Sequence, residues 1–171
     1  PWQEGLVAAN KLPNAAVAVV RHGEVCYRSL AGEQNPGVPL AADTIFRIYS
    51  MTKPIVSCAL MMLYEEGKFQ LNDPVKLWLG EKWGRKRMRV FVRGGTADAH
   101  ETAPCARSIR FWHLLTHTSG LSYGFDEHGR ANPVDALYHR AGVSGRQGKF
   151  RSLAAWVDAL AALPLVFQPG D

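Results

Sequence analysis

The stretch Ile48-Tyr49-Ser50-Met51-Thr52-Lys53-Pro54 constrains this chain more than any other, because it leads into a long apolar run, Ile55 to Leu63. The run is apolar nearly all round, which predicts a helix buried in the centre of a domain. Pro54 has no N–H to donate and is tolerated best in the first turn of a helix. Ser50 is therefore expected at the very start of that helix.

Ser50 and Lys53 are three residues apart, a spacing at which two side chains on a helix share one face. A serine hydroxyl becomes a nucleophile when a nearby base accepts its proton. A lysine can act as that base where apolar surroundings or a second positive charge favour its neutral form. Ser50 and Lys53 are thus the candidate catalytic residues. The ordinary alternative for the same pattern is a helix-capping serine followed by a solvated lysine.

The chain has 171 residues, of which 47% are hydrophobic and 20% charged, the profile of a globular domain. No apolar run approaches the ~20 residues of a membrane span, and the first five residues do not resemble a signal peptide. We expect one domain with one core. Since the chain begins with Pro1 rather than Met, we expect its natural N-terminus to lie further upstream.

Three scattered cysteines, Cys26, Cys58 and Cys105, fit neither a disulfide framework nor a paired zinc motif, and buried thiols are expected. The net charge is +5, and part of the excess lies between Lys82 and Arg93. Apolar residues are interleaved with those charges, which favours an edge strand with a solvated face over a nucleic-acid patch. We expect no nucleic-acid partner; such a partner would bind with steep salt dependence.

Two strand-like runs, 15–20 and 24–30, are joined at His22-Gly23, which predicts a tight hairpin. Glycine, proline and capping residues then mark the remaining boundaries. The pattern predicts a loop over 31–43, the end of the Ser50 helix near Gly67, a short helix after Val75, an exposed loop over 94–104 at the rim of a site, a helix capped by Ser108 and ending at 116–121, a helix from Asn132-Pro133 to about Gly142, and a helix from Ser152 to Pro164.

His113 and His117 have the spacing of two metal ligands on one helix face. Leu114 stands where a zinc hydrolase has its glutamate, and no third ligand is recognisable, so a packing or helix-end role is favoured and no metal is expected. A Ser-His-Asp triad stays open, because its members need only meet in space, although Gly-x-Ser-x-Gly is absent. The glycine motifs of nucleotide sites are absent too, and no cofactor is expected.

Three stretches occur in a characteristic order: Phe46 to Lys53, Glu66 to Val75, and Leu114 to Leu121 with its Thr-His-Thr-Ser-Gly. They resemble motifs of the serine β-lactamase and penicillin-binding-protein superfamily. The resemblance is to the branch that holds class C β-lactamases, family VIII carboxylesterases and related acyltransferases. Residues Tyr123 to Phe125, which extend the third stretch, look more like the esterase-type members.

The resemblance implies an α/β chain of the α+β type with the β-lactamase/transpeptidase-like fold, an antiparallel sheet flanked by helices plus a mostly helical region. It implies that residues 1–171 are the N-terminal portion of a single catalytic domain and lack its C-terminal strands. In the family, a later tyrosine motif assists proton transfer, and a Lys-Thr-Gly or His-x-Gly strand forms part of the oxyanion hole. Without them, the 171-residue piece alone is expected to be inactive.

The function that the resemblance implies is that of a serine hydrolase with an acyl-enzyme on Ser50, acting on a carboxylic ester. Lys53 would be the base or would hold the proton network. A β-lactamase or cell-wall D-Ala peptidase is the alternative enzyme, and a non-catalytic homologue that binds a ligand or partner is the alternative of another class. The expected partner is a small ester or β-lactam-like substrate. Oligomeric state stays open, as does the choice between cytoplasm and periplasm.

Overall fold

The computed structural model describes residues 2–126, 128, 132–144 and 150–171, which fall into two compact units. The first unit is Pro1–Thr52 and the second is Lys53–Asp171. Each unit contains antiparallel strands and helices, as expected for a chain of the α+β type. In the described part of the chain, no helix is long and apolar enough to cross a membrane.

The first unit is built on an antiparallel hairpin. Strand β1 (Asn14–Arg21) pairs with strand β2 (Glu24–Asn35). The two residues between them, His22 and Gly23, both have positive φ, 50° and 83°. A two-residue type I′ turn requires positive φ at both central positions, and its twist matches that of the flanking strands. The predicted hairpin is therefore confirmed.

Strand β2 is longer than predicted and includes part of the segment that was expected to be a loop. It continues to Asn35, and strand β3 (Val38–Pro39) pairs back on it antiparallel. Gly37, in the turn between them, has a φ of 79°. Pro36 and Gly37 thus form a tight turn between two strands, while Gly32 and Pro39 lie within the strands themselves. The unit also contains helix α1 (Trp2–Ala8) and a 3-10 helix (Tyr49–Met51).

Most of the helices belong to the second unit, and their ends follow the capping signals. The predicted end of the helix after Ser50, α2 (Thr52–Glu65), near Gly67 is confirmed, and Gly67 has a φ of 69°. Asn132 Oδ1 caps α5 (Pro133–Ala141) by accepting a hydrogen bond from Val134 N at 3.0 Å, as Ser152 Oγ caps α6 (Leu153–Ala161). The elements are α2 (Thr52–Glu65), α3 (Lys76–Leu79), a 3-10 helix (Glu81–Trp83), β4 (Arg89–Gly94), β5 (His100–Pro104), α4 (Phe111–Leu115), α5 (Pro133–Ala141) and α6 (Leu153–Ala161).

The core of the second unit forms where the end of the chain meets strand β4. Leu165 N donates a hydrogen bond to Arg89 O at 2.9 Å, and Phe91 N donates one to Leu165 O at 2.8 Å. These bonds place Leu165, which is fully buried, beside the strand. The buried apolar cluster around it consists of Val75, Trp83, Met88, Val90, Cys105, Ile109, Val134, Tyr138, Val143, Leu160, Ala161 and Leu165.

The segment 94–104, expected to be an exposed loop, contains strand β5, which pairs antiparallel with β4. The side chains of β5 do not alternate between apolar and polar, so the sequence did not indicate a strand. Polar side-chain pairs between β4 and β5 stabilise the pairing instead. Arg93 Nε lies 2.9 Å from Glu101 Oε2, and Arg89 Nε donates to Thr102 Oγ1 at 3.1 Å. On β4 itself Arg89 is exposed and Val90 is buried. The predicted strand with a solvated basic face is therefore found only at Arg89–Gly94, and residues 82–87 of the same basic run lie in a 3-10 helix and a turn instead.

Helix α2 forms as predicted but is not buried, since none of its residues is buried in this structure. Ile55 is 62% exposed and Val56 is 59% exposed. Apolar periodicity identifies a helix, but burial depends on which surfaces surround it, and the sequence pattern alone does not specify those surfaces.

Two smaller expectations were wrong. Cys105 is a buried thiol as expected, but Cys26 and Cys58 are exposed, because they lie on surfaces of β2 and α2 that nothing described covers. Ser108 is not a helix cap, since α4 begins only at Phe111 and Arg110 is the residue before it.

Candidate active site

Ser50 lies in the 3-10 turn that leads directly into helix α2. Met51 N closes this turn by donating a hydrogen bond to Ile48 O at 3.0 Å. Tyr49, the residue before the serine, has a φ of +45°, a left-handed conformation that is uncommon for a bulky side chain. Such strain persists only where the surrounding structure imposes it, and it is concentrated at functional sites. Ser50 itself is exposed.

Lys53 lies in the first turn of α2 and is half-buried. Its Nζ is 5.4 Å from the centre of the Tyr123 ring, within the range of a cation–π contact. Tyr123 in turn stacks on Phe125, with ring centres 4.9 Å apart and ring planes 14° from parallel. Tyr123 and Phe125 are 56% and 82% exposed, so they form an open aromatic surface beside the lysine.

The aromatic loop, residues 121–126, is anchored to helix α5 by buried polar groups. Ser122 Oγ donates a hydrogen bond to the Asp135 carboxylate, and Asp126 N donates one to Asp135 Oδ2 at 3.1 Å. Ser122 N donates to Tyr138 Oη at 3.4 Å. Burial raises the pKa of Tyr138 to about 12, with the Asp135 charge adding to the rise, so its hydroxyl stays neutral. These contacts fix the loop that carries Tyr123.

Close packing also requires glycine within the aromatic loop. Gly124 has a φ of +70°. A Cβ at this position would lie 2.9 Å from Ser144 Cβ and 3.0 Å from Tyr138 Cβ. The loop backbone therefore approaches α5 more closely than any larger residue allows.

The segment 116–120, which carries the Thr-His-Thr-Ser-Gly motif, joins α4 to the end of the chain. Thr118 N donates to His113 O at 2.8 Å, which ends the helix, and Gly170 N donates to Thr118 O at 2.7 Å. Val166 N donates to Gly120 O at 2.7 Å. The motif is therefore structural in this unit: it holds the final segment against α4 and directs the chain into the aromatic loop.

The two histidines with metal-ligand spacing do not share a helix face. His113 lies within α4 and is buried, whereas His117 follows the helix with a left-handed φ of 60°. His113 Nδ1 accepts a hydrogen bond from Arg110 N at 2.9 Å, so this nitrogen already has a partner. Among the described residues there is no group of three or more His, Cys, Asp or Glu side chains that could hold a metal ion.

Sequence reasoning identified Ser50, Lys53 and the Tyr123 to Phe125 stretch, and the structure brings Tyr123 to Lys53. It did not find Asp135 or Tyr138. The signal for Asp135 was a single acidic residue in the first turn of a predicted helix, which normally indicates a solvated charge near the helix dipole. Its burial against the aromatic loop is a long-range contact that local pattern does not reveal.

The described residues form antiparallel strands and helices, with Ser50 just before α2 and Lys53 in its first turn. The chain belongs to the beta-lactamase family, whose model matches residues 2–171. The recognition of the serine β-lactamase and penicillin-binding-protein superfamily is thereby confirmed.

Relatives with assigned names include enzymes of two kinds. Esterase EstB of Burkholderia gladioli is 36% identical over 164 residues, which cover 94% of this chain and 37% of the esterase. Acyltransferase calJ of Penicillium decumbens is 35% identical over 151 residues, or 86% of this chain and 33% of the relative. An uncharacterised protein of Mycobacterium tuberculosis (strain CDC 1551 / Oshkosh) is 42% identical over 149 residues, which cover 86% of this chain and 33% of that protein. The chain thus spans between 33% and 37% of the length of these relatives.

Solved structures confirm the expected fold. EstCE1, described as a hydrolase with promiscuous acyltransferase activity, matches with a TM-score of 0.71 and 26% identity over 99% of this chain and 40% of its own. Unliganded simvastatin synthase (LovD) from Aspergillus terreus matches with a TM-score of 0.70 and 26% identity over 98% of this chain and 42% of its own. The β-lactamase/transpeptidase-like architecture is therefore the fold of the matched residues.

Proposed function

We propose that the natural protein is a serine hydrolase that forms an acyl-enzyme on Ser50 and hydrolyses carboxylic esters. The observation that carries this proposal is the start of helix α2, where Ser50 follows a strained Tyr49 and Lys53 lies against the ring of Tyr123. The esterase among the relatives supports the choice of an ester as substrate. In this proposal residues 1–171 are the N-terminal portion of one catalytic domain.

In the proposed reaction Ser50 Oγ attacks the carbonyl carbon of the ester while Lys53 Nζ accepts the hydroxyl proton. The alkoxide leaving group takes that proton and departs as the alcohol, which leaves the acyl group on Ser50. Water then attacks the acyl carbonyl and transfers a proton to Lys53 Nζ. The bond between the acyl carbon and Ser50 Oγ breaks, Ser50 Oγ takes that proton back, and the carboxylic acid is released. The Ser50 backbone N–H, at the start of a helix, is one donor to the developing oxyanion.

The open aromatic surface of Tyr123 and Phe125 supports a substrate with an apolar group. Both rings are exposed, Phe125 stacks on Tyr123, and Tyr123 contacts the Lys53 amine. Aromatic faces bind alkyl and aryl groups without needing hydrogen-bond partners for them. We infer that the acyl or alcohol portion of the ester packs on this pair.

A second candidate function is acyl transfer to an alcohol in place of water. It is favoured by the acyltransferase among the relatives and by the mixed activity in the description of EstCE1. Both functions pass through the acyl-enzyme. They differ in the molecule that takes the acyl group from Ser50, which is water in hydrolysis and an alcohol in acyl transfer. Product analysis in the presence of an added small alcohol separates them, since transfer yields a new ester and hydrolysis yields the free acid.

The test uses the complete natural chain that contains these residues. It is treated with a fluorophosphonate, and its intact mass and its turnover of p-nitrophenyl butyrate are measured. We expect one adduct per chain, loss of adduct and turnover in Ser50→Ala, and a rate at least about 100-fold lower in Lys53→Ala, because a positioned base contributes that order of acceleration.

Two matched variants control for damage to helix α2. Ser57→Ala removes another serine of the same helix, and Lys68→Ala removes the lysine just beyond its end. Both should label and turn over at nearly the rate of the natural protein. Labelling that persists in Ser50→Ala, or a folded protein that never labels, would contradict the proposal and favour a non-catalytic binding protein.

A further inference from the structure

A cleft of about 390 Å³ in the second unit is lined by residues that the proposed hydrolysis does not use. Neither Lys53 nor Tyr123 lines the cleft. It lies where the start of α4 meets Gly170. Its lining includes Arg85, Arg107 and Arg110 together with His113. The volume is within the range of small-molecule sites in proteins. Its chemistry is cationic and rich in hydrogen-bond donors.

The positive charge of the cleft is only partly neutralised. Arg107 Nη2 pairs with the Asp171 carboxylate. Arg110 Nη1 donates to Asn72 O at 3.0 Å, a neutral acceptor that leaves its charge uncompensated. Arg85 forms no ion pair with any residue that the structure describes. Three guanidinium groups thus share one carboxylate, and the cleft keeps two excess positive charges.

His113 adds a directed donor to this charge. It is 3% exposed and lines the cleft. Since its Nδ1 accepts the hydrogen bond from Arg110 N at 2.9 Å, the neutral ring carries its proton on Nε2. The structure shows no acceptor for Nε2 among the described residues. Nε2 lies beside Gly170 at the cleft, where it can donate a hydrogen bond to a ligand oxygen.

Gly170 keeps the space in front of these donors open. A Cβ at Gly170 would lie 3.0 Å from His113 Nε2 and 3.6 Å from Arg107 Nη1. The residue has a φ of +91°, so the backbone here also favours glycine. The two donors therefore converge on the same opening, in front of Gly170.

We propose that this cleft binds the oxyanion group of a small molecule, a phosphate or a carboxylate, between the Arg85, Arg107 and Arg110 guanidinium groups and His113 Nε2. Guanidinium forks match the paired oxygens of both groups. The neutral imidazole donates one further hydrogen bond without adding charge. The site is independent of the acyl-enzyme, so its test stands whether or not Ser50 is a nucleophile.

The test titrates the complete natural chain with inorganic phosphate in one arm and with acetate in the other, at constant ionic strength, by isothermal titration calorimetry. We expect saturable binding in at least one arm, and the arm that saturates identifies the oxyanion. Arg85→Gln and Arg110→Gln should each weaken binding at least 10-fold. Arg87→Gln removes an exposed arginine close in sequence to Arg85 and should change affinity less than 2-fold.

A second readout follows His113 directly. The imidazole proton resonances of His113 should shift on addition of the anion and saturate with the calorimetric affinity. Arg85 is exposed, so its substitution tests the site without disturbing the core. The proposal is overturned if neither anion binds saturably, or if Arg87→Gln weakens binding as much as Arg85→Gln, which would indicate a general response to surface charge.

Discussion

At the scale of single residues, buried polar side chains decide the local structure of the second unit. Asp135 is 7% exposed, yet it accepts hydrogen bonds from Ser122, Asn132 and the Asp126 backbone. A buried carboxylate is tolerated only with such partners, because desolvation of an unpaired charge costs several kcal/mol. Asp135 therefore fixes the loop that carries Tyr123, although the loop lies outside the helix to which Asp135 belongs.

His113 gives a pH dependence that can be measured. Burial, with Arg110 and Arg107 nearby, lowers the pKa of His113 below the ordinary value of 6.5. Between that value and the folded pKa the unfolded chain binds a proton that the folded chain does not, so stability falls as pH decreases. We predict that the free energy of unfolding decreases from pH 7 to pH 5, by at most about 1.4 kcal/mol per pH unit from this group.

Urea unfolding of the complete natural chain at pH 7, 6 and 5 checks this prediction. His113→Gln should flatten the dependence in this window. His22→Asn removes an exposed histidine and keeps a residue that accepts positive φ, so it should leave the dependence unchanged. Equal slopes for the natural protein and His113→Gln would show that other groups cause the change.

At the scale of elements, the turn at Gly120 packs so closely against the segment around Phe167 that no side chain fits between them. Gly120 has a φ of +82°, and a Cβ there would lie 2.3 Å from Phe167 O. Gly120 O also accepts the hydrogen bond from Val166 N. The turn and the final segment can pair only if this position has no side chain.

We predict that Gly120→Ala destabilises the protein by at least about 3 kcal/mol, since left-handed backbone alone costs about 1–2 kcal/mol and the carbonyl must also move. Gly95→Ala is the matched control, because nothing lies within 4 Å of its Cβ position and its φ is not in the left-handed region. Chemical denaturation of both variants tests the pair. A Gly120→Ala protein as stable as Gly95→Ala would mean that the turn opens at little cost.

At the scale of the whole molecule, the described residues leave large apolar side chains exposed on helix α2 and on the first sheet. Ile55 is 62% exposed, and Val20 on β1 is 59% exposed. The chain spans 40% of the length of EstCE1, whose fold it shares. The proposal that these residues are one portion of a catalytic domain, with the tyrosine motif and late strand that the family resemblance implies lying elsewhere, predicts that residues 1–171 alone are inactive.

We predict that residues 1–171, expressed alone, hydrolyse no p-nitrophenyl butyrate, because the loss of members of a catalytic unit costs many powers of ten in rate. The complete natural chain assayed at the same concentration is the control. Turnover by residues 1–171 that disappears in Ser50→Ala would contradict the prediction and show that these residues hold all of the machinery.

Local signals in the sequence were sufficient for the hairpin at His22-Gly23, for the start of α2 after Ser50, and for the caps Asn132 and Ser152. Each depends on backbone preferences of one or two residues, and these act over a few positions whatever the surroundings.

Tertiary structure decided what depends on distant partners. Strand β5 exists because β4 pairs with it, and its polar side chains gave no sign of this. Asp135 is buried because the aromatic loop folds over it, and Lys53 meets Tyr123 from 70 positions away in sequence. A local sequence pattern shows which backbone conformation a segment prefers. Whether a residue is buried, and which distant residues it contacts, depends on the other segments that fold around it.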